Sequence, residues 1–507
     1  MRILRSAAII LLFVFIALTL IHSLGSINQD IGRHLKLGQI IWETKSVPQT
    51  NLFSFTEPDY PFINHHWLSE VVFYFLFGII GLKGLIIFKA AIVAASFWLI
   101  YKSADKKVGL WPFLISAPLG ILVFLNRSDV RPEIFSYLFL AFFIFAILRA
   151  GFFGQYRWLY VLPFIQILWS NTHIYFVLGP VLLLVFLIDA AFDKERKVAL
   201  CKIFWIFLAT SAATLLNPNF IKGALAPFSI LKDYGYTIVE NQSIFFLKDY
   251  GAMLAAINIF EISLIVLIIG FVVALKNGSK KIVFEFLTGL VFSILAVKMI
   301  RNTGIYALVF TSVTALNLSA IKPAAVFLKR PVRIIFYLAL SAIFALLIIN
   351  VLNNNIRKWM QEQEGGKFGL EIPAGATQGV EFVKQNDIGG PVFNNFDVGS
   401  FLIWKLYPEQ RVFVDGRPEA YSVEFFENIY KPMQEDSRIW KYYSEKYGIN
   451  YIFFATSDIT PWARQFLVNI SQDKNWPLVY KDGSVAVFIK RIPANSALIR
   501  KFEIKSR

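Results

Sequence analysis

The sequence is short of cysteine, histidine and charge. Its single cysteine, Cys201, excludes a disulfide within the chain and a four-cysteine zinc site built from one copy. Charged residues are 17% of the total, against about 25% in ordinary soluble domains. Apolar residues reach 56% and the mean hydropathy is +0.57, so an ordinary soluble protein is excluded as well. No internal repeat and no low-complexity stretch is visible.

What is abundant is apolar and aromatic. Phe occurs 51 times among 507 residues, which suits lipid-facing or densely packed helices. Net charge is +16, and its distribution matters more than its sum. Residues 1–352 carry 30 Lys+Arg against 16 Asp+Glu, while residues 353–507 carry 20 against 18. The basic excess therefore belongs to the apolar part, where it reports membrane topology and not nucleic-acid binding.

Apolar runs of spanning length lie near 3–24, 83–101, 109–125, 133–150, 157–170, 174–192, 199–216, 253–275, 282–299, 303–320 and 334–352, about eleven spans in all. The first is too long for a signal-peptide core and lacks a small-residue cleavage site, so it reads as a retained span. The run 67–80 reaches only about 21 Å as a helix, short of the about 30 Å hydrocarbon core. It reads as a juxtamembrane helix that dips without crossing. With Arg2 and Arg5 in the cytoplasm, that parity gathers the basic clusters on one side. They are Lys102, Lys106 and Lys107; Arg149 and Arg157; Lys194, Arg196, Lys197 and Lys202; Lys276, Lys280 and Lys281; and Lys322, Lys329, Arg330 and Arg333. It places the loop 27–66, the loop 217–250 and everything after 353 outside the cytoplasm.

In 353–507 charges return and apolar runs shorten. Short β-rich runs at 392–393, 411–414, 451–454, 478–480 and 485–489 alternate with helical patterns such as 420–430 and 437–446. That alternation predicts a C-terminal α/β soluble domain, with Asp482-Gly483 as a hairpin turn. Residues 494–507 read as a loose basic tail. The expected division is thus 1–352, a polytopic α-helical membrane domain, and 353–507, an extracytoplasmic α/β domain.

Polar groups that can do chemistry collect on the outer side. Asp30 follows the first span directly, where a carboxylate can take a proton from a hydroxyl; it can equally be a solvated loop acid or a helix N-cap. Asn64-His65-His66-Trp67 closes the same loop. His66 and Glu70 have the i, i+4 spacing that offers two ligands to a divalent metal, with no third ligand nearby; the alternative is an interfacial helix start. Asp129 and Arg131 lie in a charged turn, where Asp129 can simply pair with Arg131 or Arg127. Asn171 and His173 mark another outer turn, and Asn217 the end of a further span. Lys298 and Arg301 sit at the outer end of a span, against the local charge bias, and Glu261 lies within one. Charges at such depth usually face a cavity or a partner. Asp415-Gly416-Arg417 is either part of a site or a structural turn, with Gly416 free to take a positive φ.

The order of these elements carries a resemblance. Asp30, His34, Leu35 and Gly38 are followed by Pro48, Asn51, Phe53, Ser54, Phe55 and Thr56, then His65-His66-Trp67-Leu68. Arg131-Pro132, Trp169, Asn171 and His173, Asn217-Pro218 and Arg301 come next. Phe393-Asn394, Asp397, Gly399, Trp404, Val414-Asp415-Gly416-Arg417 and Tyr421 complete the series. The chain resembles the GT-C superfamily of membrane glycosyltransferases, in a bacterial group near the protein mannosyltransferases and aminoarabinose transferases. The sequence departs from that pattern at Arg33, where an aromatic is usual, at His66, where Glu is usual, and at Asp397, where Glu is commoner.

The resemblance implies a multi-pass protein of the bacterial inner membrane that uses a polyprenyl-phosphate-linked sugar. It implies Asp30 as catalytic base and Arg131, Lys298 and Arg301 as phosphate ligands. His65 and His173 would orient the sugar or phosphate. The acceptor is a glycan, lipid or protein. Two other readings use the same polar groups: a transporter or flippase of a lipid-linked or polar solute, and a non-catalytic envelope assembly protein. The absence of internal symmetry speaks against the transporter.

Overall fold

The computed structural model describes residues 1–24, 30–103, 105–229, 232–277, 283–321, 329–360, 366–372 and 374–504, the side chains of 106 and 107 excepted. Lys280, Lys281 and Lys322 of the expected cytoplasmic clusters, and residues 27–29 of the first loop, lie outside the described residues, as do the side chains of Lys106 and Lys107. The chain forms two compact units. The helical unit comprises Met1–Ser23, Ile80–Pro227 and Ile238–Glu371; the α/β unit comprises Leu24–Ile79, Phe228–Thr237 and Ile372–Arg507. The two units do not coincide with a cut at residue 353, because the segment after the first helix clusters with the C-terminal chain.

Among the described residues, seven helices are long and apolar enough to cross a membrane: Arg2–Leu20, Trp67–Ser103, Leu110–Arg127, Glu133–Phe153, Ile174–Phe192, Leu254–Lys276 and Arg330–Leu352. Four shorter helices occupy the remaining expected positions: Leu162–Thr172, Leu200–Ala213, Val283–Lys298 and Thr303–Ser319. The run 157–170 is not one α-helix. It starts as a 3-10 turn, Tyr156–Val161, and becomes α-helical where Pro163 stands in the first turn, whose N–H has no helical acceptor anyway. Gly81, at φ 64°, breaks the long Trp67–Ser103 helix and sets the short segment 67–80 apart from the span that follows.

Thr303–Ser319 is the centre of the helical unit, buried on every side from Thr303 to Asn317. Small residues permit this. A Cβ on Gly120 would fall 2.0 Å from Thr311 Oγ1, and one on Gly304 would fall 2.6 Å from Tyr137 Oη. Ser116 also donates to the Thr311 carbonyl at 3.1 Å. Peripheral helices show the opposite pattern. Ile262, Ile265, Ile268 and Ile269 on Leu254–Lys276 are all more than half exposed, as lipid-facing side chains are. Glu261 of that helix pairs with Lys248 at 2.6 Å on the half-exposed face and not within the bundle.

The α/β unit holds a four-stranded sheet in the order β1-β2-β4-β3, from β1 (Val392–Asn394), β2 (Tyr451–Ala455), β3 (Leu478–Lys481) and β4 (Val485–Ile489). β1 and β2 are parallel; the other pairings are antiparallel, with the expected Asp482-Gly483 turn joining β3 to β4. Asp482 stabilises it by accepting from the Ser484 and Val485 amides. Both faces of β2 and β4 are buried, so these strands read as continuous apolar runs. Leu37 and Phe53 join the sheet's core beside Phe401, Phe453 and Val487.

Three local expectations are corrected. Residues 411–414 form no named strand; they run beside 53–56, with Val412 and Ser54 in a single bridge. Their hydrogen-bond partner is a distant segment, invisible to local pattern. The helix expected at 420–430 is a short α turn, Val423–Phe425, that widens into a π turn, Phe426–Tyr430. The tail is not loose through 502, because Ser496–Phe502 is a helix that buries Ile499 in the core.

Candidate functional site

In the α/β unit, Asp30 stands at the head of the helix Ile31–Thr44, in the N-cap position, but its side chain makes no capping bond. Its carboxylate accepts from Ser400 Oγ at 3.1 Å and lies 3.4 Å from Arg33 Nη2. A Cβ on Gly416 would sit 2.9 Å from Asp30 Oδ1, so only a glycine there leaves room for the carboxylate. Gly416 is absent from the positive-φ residues, and its requirement is close approach, not a left-handed backbone. Asp30 is thus neither a capping group nor a freely solvated acid. Its side chain keeps 29% exposure.

Asp397 shares a helix with Ser400, one turn earlier on the same face. Burial, then the nearby Asp458 and Asp30 carboxylates, push its carboxyl up to about 7. Asp458 is itself committed, accepting from Asn395 Nδ2 and Thr460 Oγ1.

The histidine turn is organised around Glu70. This fully buried carboxylate accepts from His34 Nδ1 at 2.8 Å and Asn64 Nδ2 at 2.6 Å. Burial, with Arg33 beside it, holds His34 below the usual histidine range. Gly38 lets its helix touch the next, since a Cβ there would meet the Glu70 carbonyl at 2.1 Å. His66 packs edge-on to His34 and close to His65, with ring centroids 5.7 and 4.2 Å apart. The His66–Glu70 pair expected from spacing is not a chelate, because Glu70 turns to His34 and Asn64. Among the described residues, no group of three His, Cys, Asp or Glu side chains is placed to hold a metal ion.

Asp415 and Arg417 form a closed clamp. Arg417 grips Asp415 through Nε and Nη2 at 2.7 Å each, and Nη2 also donates to Asn51 Oδ1 at 2.9 Å. Tyr421 Oη adds a bond to Asp415 at 3.0 Å, and the guanidinium stacks 4.7 Å from the Phe62 ring. Both residues are buried to 1% exposure or less. The clamp fixes the loop that presents Gly416 and ties it to the segment 51–62.

The helical unit carries a second polar network. Arg127 makes a bidentate pair with Glu133 and reaches Glu240 at 2.8 Å, which Arg131 also grips at 2.7 and 2.8 Å. Burial alone would raise the Glu240 carboxyl; Arg127, Arg131 and Arg301 outweigh it and hold it well below the usual carboxylate range. Arg301 donates to Asn241 at 2.9 Å, and Tyr175 Oη donates to the Arg301 carbonyl at 3.4 Å. His173 packs edge-on to Tyr175, with ring centroids 4.6 Å apart, and bonds Ser136 at 2.9 Å. At the other flank, fully buried Lys89 contacts His22 at 2.9 Å and the Ser128 carbonyl at 2.5 Å. Asp129 lies among Arg131, His22 and Lys89, whose charges overcome burial and lower its carboxyl.

The structure therefore joins Arg131, His173 and Arg301 through Glu240, Asn241 and Tyr175. Asp129 flanks the same cluster beside Arg131. Lys298 is exposed at the end of its helix, and among the described residues no hydrogen bond or ion pair links it to Arg301. Asn171 Nδ2 ties its helix end to the Leu216 carbonyl at 2.8 Å. Asn217 closes the next turn, donating to the Thr214 and Phe220 carbonyls. Sequence reasoning missed Glu240, Lys89, His22 and Ser400. Lys89 had a signal, a lysine deep within a spanning run; Ser400 had none.

No protein-family model and no curated protein matches the chain in sequence. Solved structures match in fold. The archaeal oligosaccharyltransferase AglB from Archaeoglobus fulgidus, determined with an inhibitory peptide and a dolichol-phosphate, gives a TM-score of 0.61 at 12% identity, over 99% of this chain and 76% of that one. The arabinofuranosyltransferase AftD from Mycobacteria gives 0.55 at 13% identity, over 96% of this chain and 40% of its own length. The Archaeoglobus fulgidus oligosaccharyltransferase in complex with Zn and sulfate gives 0.52 at 13% identity. The chain has the fold of the GT-C glycosyltransferases, a helical membrane domain accompanied by a small C-terminal sheet region.

Proposed function

We propose that the protein is a membrane glycosyltransferase that moves a sugar from a polyprenyl-phosphate donor to an acceptor hydroxyl on the outer face of the membrane. The observation that carries the proposal is Asp30. On a GT-C fold it opens the segment after the first span, and it is held by Ser400 yet remains partly exposed. In this reading the Asp30 carboxylate takes the acceptor proton as the acceptor oxygen bonds to the sugar's anomeric carbon. The bond from that carbon to the phosphate oxygen breaks, and the carrier phosphate leaves with the electron pair. A positioned base contributes about 10²- to 10⁴-fold. Arg301 and Arg131 are proposed to bind the phosphate and stabilise its charge, so that no strong acid is needed at the leaving group.

The fold relative determined with dolichol-phosphate supports a lipid-phosphate donor. The excess of basic residues in the expected cytoplasmic connections supports a cytoplasmic N-terminus and an extracytoplasmic α/β unit in the bacterial inner membrane. The site residues fit a reaction in which Asp30 acts as base directly. Titration with chelator decides whether activity needs a divalent metal. Reconstituted protein supplied with radiolabelled polyprenyl-phosphate sugars and an envelope acceptor fraction should form labelled product. No product from any donor would overturn the reading and direct attention to solute translocation.

A further inference from the structure

In the helical unit, Arg127 and Arg131 hold one carboxylate between them, and the two glutamates of this cluster are held differently. Glu133 is fixed: Arg127 Nε and Nη2 donate to it at 3.1 and 2.7 Å, and its side chain is 2% exposed. Glu240 is reached from outside. Its Oε2 meets Arg127 Nη1 at 2.8 Å, Arg131 Nη1 donates to both its oxygens, and its side chain keeps 29% exposure. Arg131 keeps 19%. Among the described residues, the Glu240 carboxylate bonds these two guanidinium groups and no other group. The turn that carries it, Val239–Asn241, is anchored separately. The Ile300 amide donates to the Gln242 carbonyl at 3.0 Å, and Arg301 Nη1 donates to Asn241 Oδ1 at 2.9 Å. The Glu240 side chain can therefore swing out about its own bonds while the turn stays in place.

Two guanidinium groups on the oxygens of one anion is also how arginines take a phosphate. Once Glu240 swings out, Arg127 Nη1 and Arg131 Nη1 are open to a ligand, and Glu133 still keeps the Arg127 fork oriented. Arg127, Arg131, Arg301 and Lys89 then outnumber Glu133 and Asp129, and a positive cluster of this kind favours an anion in place of the departed carboxylate. We propose that Arg127 and Arg131 together form the phosphate seat for the lipid-linked substrate, and that Glu240 is an exchangeable occupant which that phosphate displaces. The inference rests on the phosphate role proposed above for Arg131. It adds Arg127 as a second phosphate ligand and makes Glu240 the residue that sets the affinity. If Glu240 occupies the seat about nine-tenths of the time, the apparent Kd of the phosphate is raised about tenfold.

The probe is radiolabelled farnesyl phosphate, a short prenyl phosphate, bound to the full chain in phosphatidylcholine nanodiscs and corrected with empty nanodiscs. Glu240→Gln should tighten binding about tenfold. Glu240→Asp keeps the charge and shortens its reach by one methylene, so tightening there reports vacated contacts and not a change in net charge; a smaller gain is expected. It also serves where the glutamine variant does not fold. Arg127→Lys or Arg131→Ala, each added to Glu240→Gln, should cancel the gain. Unchanged binding on adding Arg131→Ala would overturn the phosphate role of Arg131 and this proposal with it. Weaker binding there, with no tightening in either Glu240 variant, would overturn the exchange alone and leave Glu240 a structural counter-ion. Displacement of the probe by equimolar inorganic phosphate would assign the seat to free phosphate and overturn the lipid-linked ligand.

Discussion

Gly416→Ala adds one methyl group beside Asp30 and tests how closely that carboxylate must be held. The new Cβ would stand 2.9 Å from Asp30 Oδ1 and 3.3 Å from Ser400 Oγ. Relaxing the first contact to an ordinary separation needs roughly half an ångström of movement. The Ser400–Asp30 bond already measures 3.1 Å, so a shift of that size stretches it past the limit of a useful hydrogen bond. A 1 Å misplacement can cost about a hundredfold in rate, so half of it should lower kcat/KM about tenfold. Because Gly416 is not in the left-handed region, alanine adds no backbone strain, and stability should fall by less than about 1 kcal/mol. Initial rates of sugar transfer and thermal unfolding, measured side by side, give both quantities. A wild-type rate in Gly416→Ala would refute the claim that Asp30 needs this geometry. A rate loss matched by collapse of the fold would show that the glycine is needed for folding instead.

Two further substitutions probe the buried charges. Glu240→Gln leaves Arg127 and Arg131 with less compensation and, because the Glu240 side chain keeps 29% exposure and Arg127 retains Glu133, should destabilise the protein by about 1–3 kcal/mol in denaturant unfolding. Glu240's carboxyl is lowered in the folded state, so its contribution is present above the ordinary value of 4.5 and is lost as pH falls below it. Asp397 has the opposite sign. Its carboxyl rises from 3.8 to about 7, so wild-type stability should fall as pH climbs between those values, by at most about 1.4 kcal/mol per unit. Asp397→Asn should therefore raise the thermal midpoint at pH 8 and leave it unchanged at pH 4; an equal effect at both would count against a buried, protonated Asp397.

The positions of the apolar helices were legible because long apolar runs carry their own signal, and among the described residues seven of them are long enough to span a membrane. The hairpin at Asp482-Gly483 and the helix Ser437–Lys446 were legible for the same local reasons. Asp30, His34 and Gly38 were readable as an ordered motif, but not their partners. Ser400 lies 370 positions from Asp30, and a serine has no distinguishing pattern within an apolar helix. Phe53 and Val412 pair across a comparable distance, so local pattern showed the β-rich run 411–414 but not that it stands outside the sheet. Lys298 and Arg301 looked alike by position, yet one side chain turns outward and the other donates to Asn241. Helical phase separates them, and three residues across a 3-10 turn are enough to lose it.

The most direct test of the central claim is transfer from radiolabelled polyprenyl-phosphate sugars by reconstituted wild type, Asp30→Asn and Arg301→Ala. Asp30→Asn keeps the size of the side chain and removes its basicity, so it should reach normal levels in the membrane and lose about 10²-fold or more in rate. Arg301→Ala should also lose transfer, with weaker retention of the lipid phosphate. Transfer by Asp30→Asn at the wild-type rate would contradict Asp30 as the base.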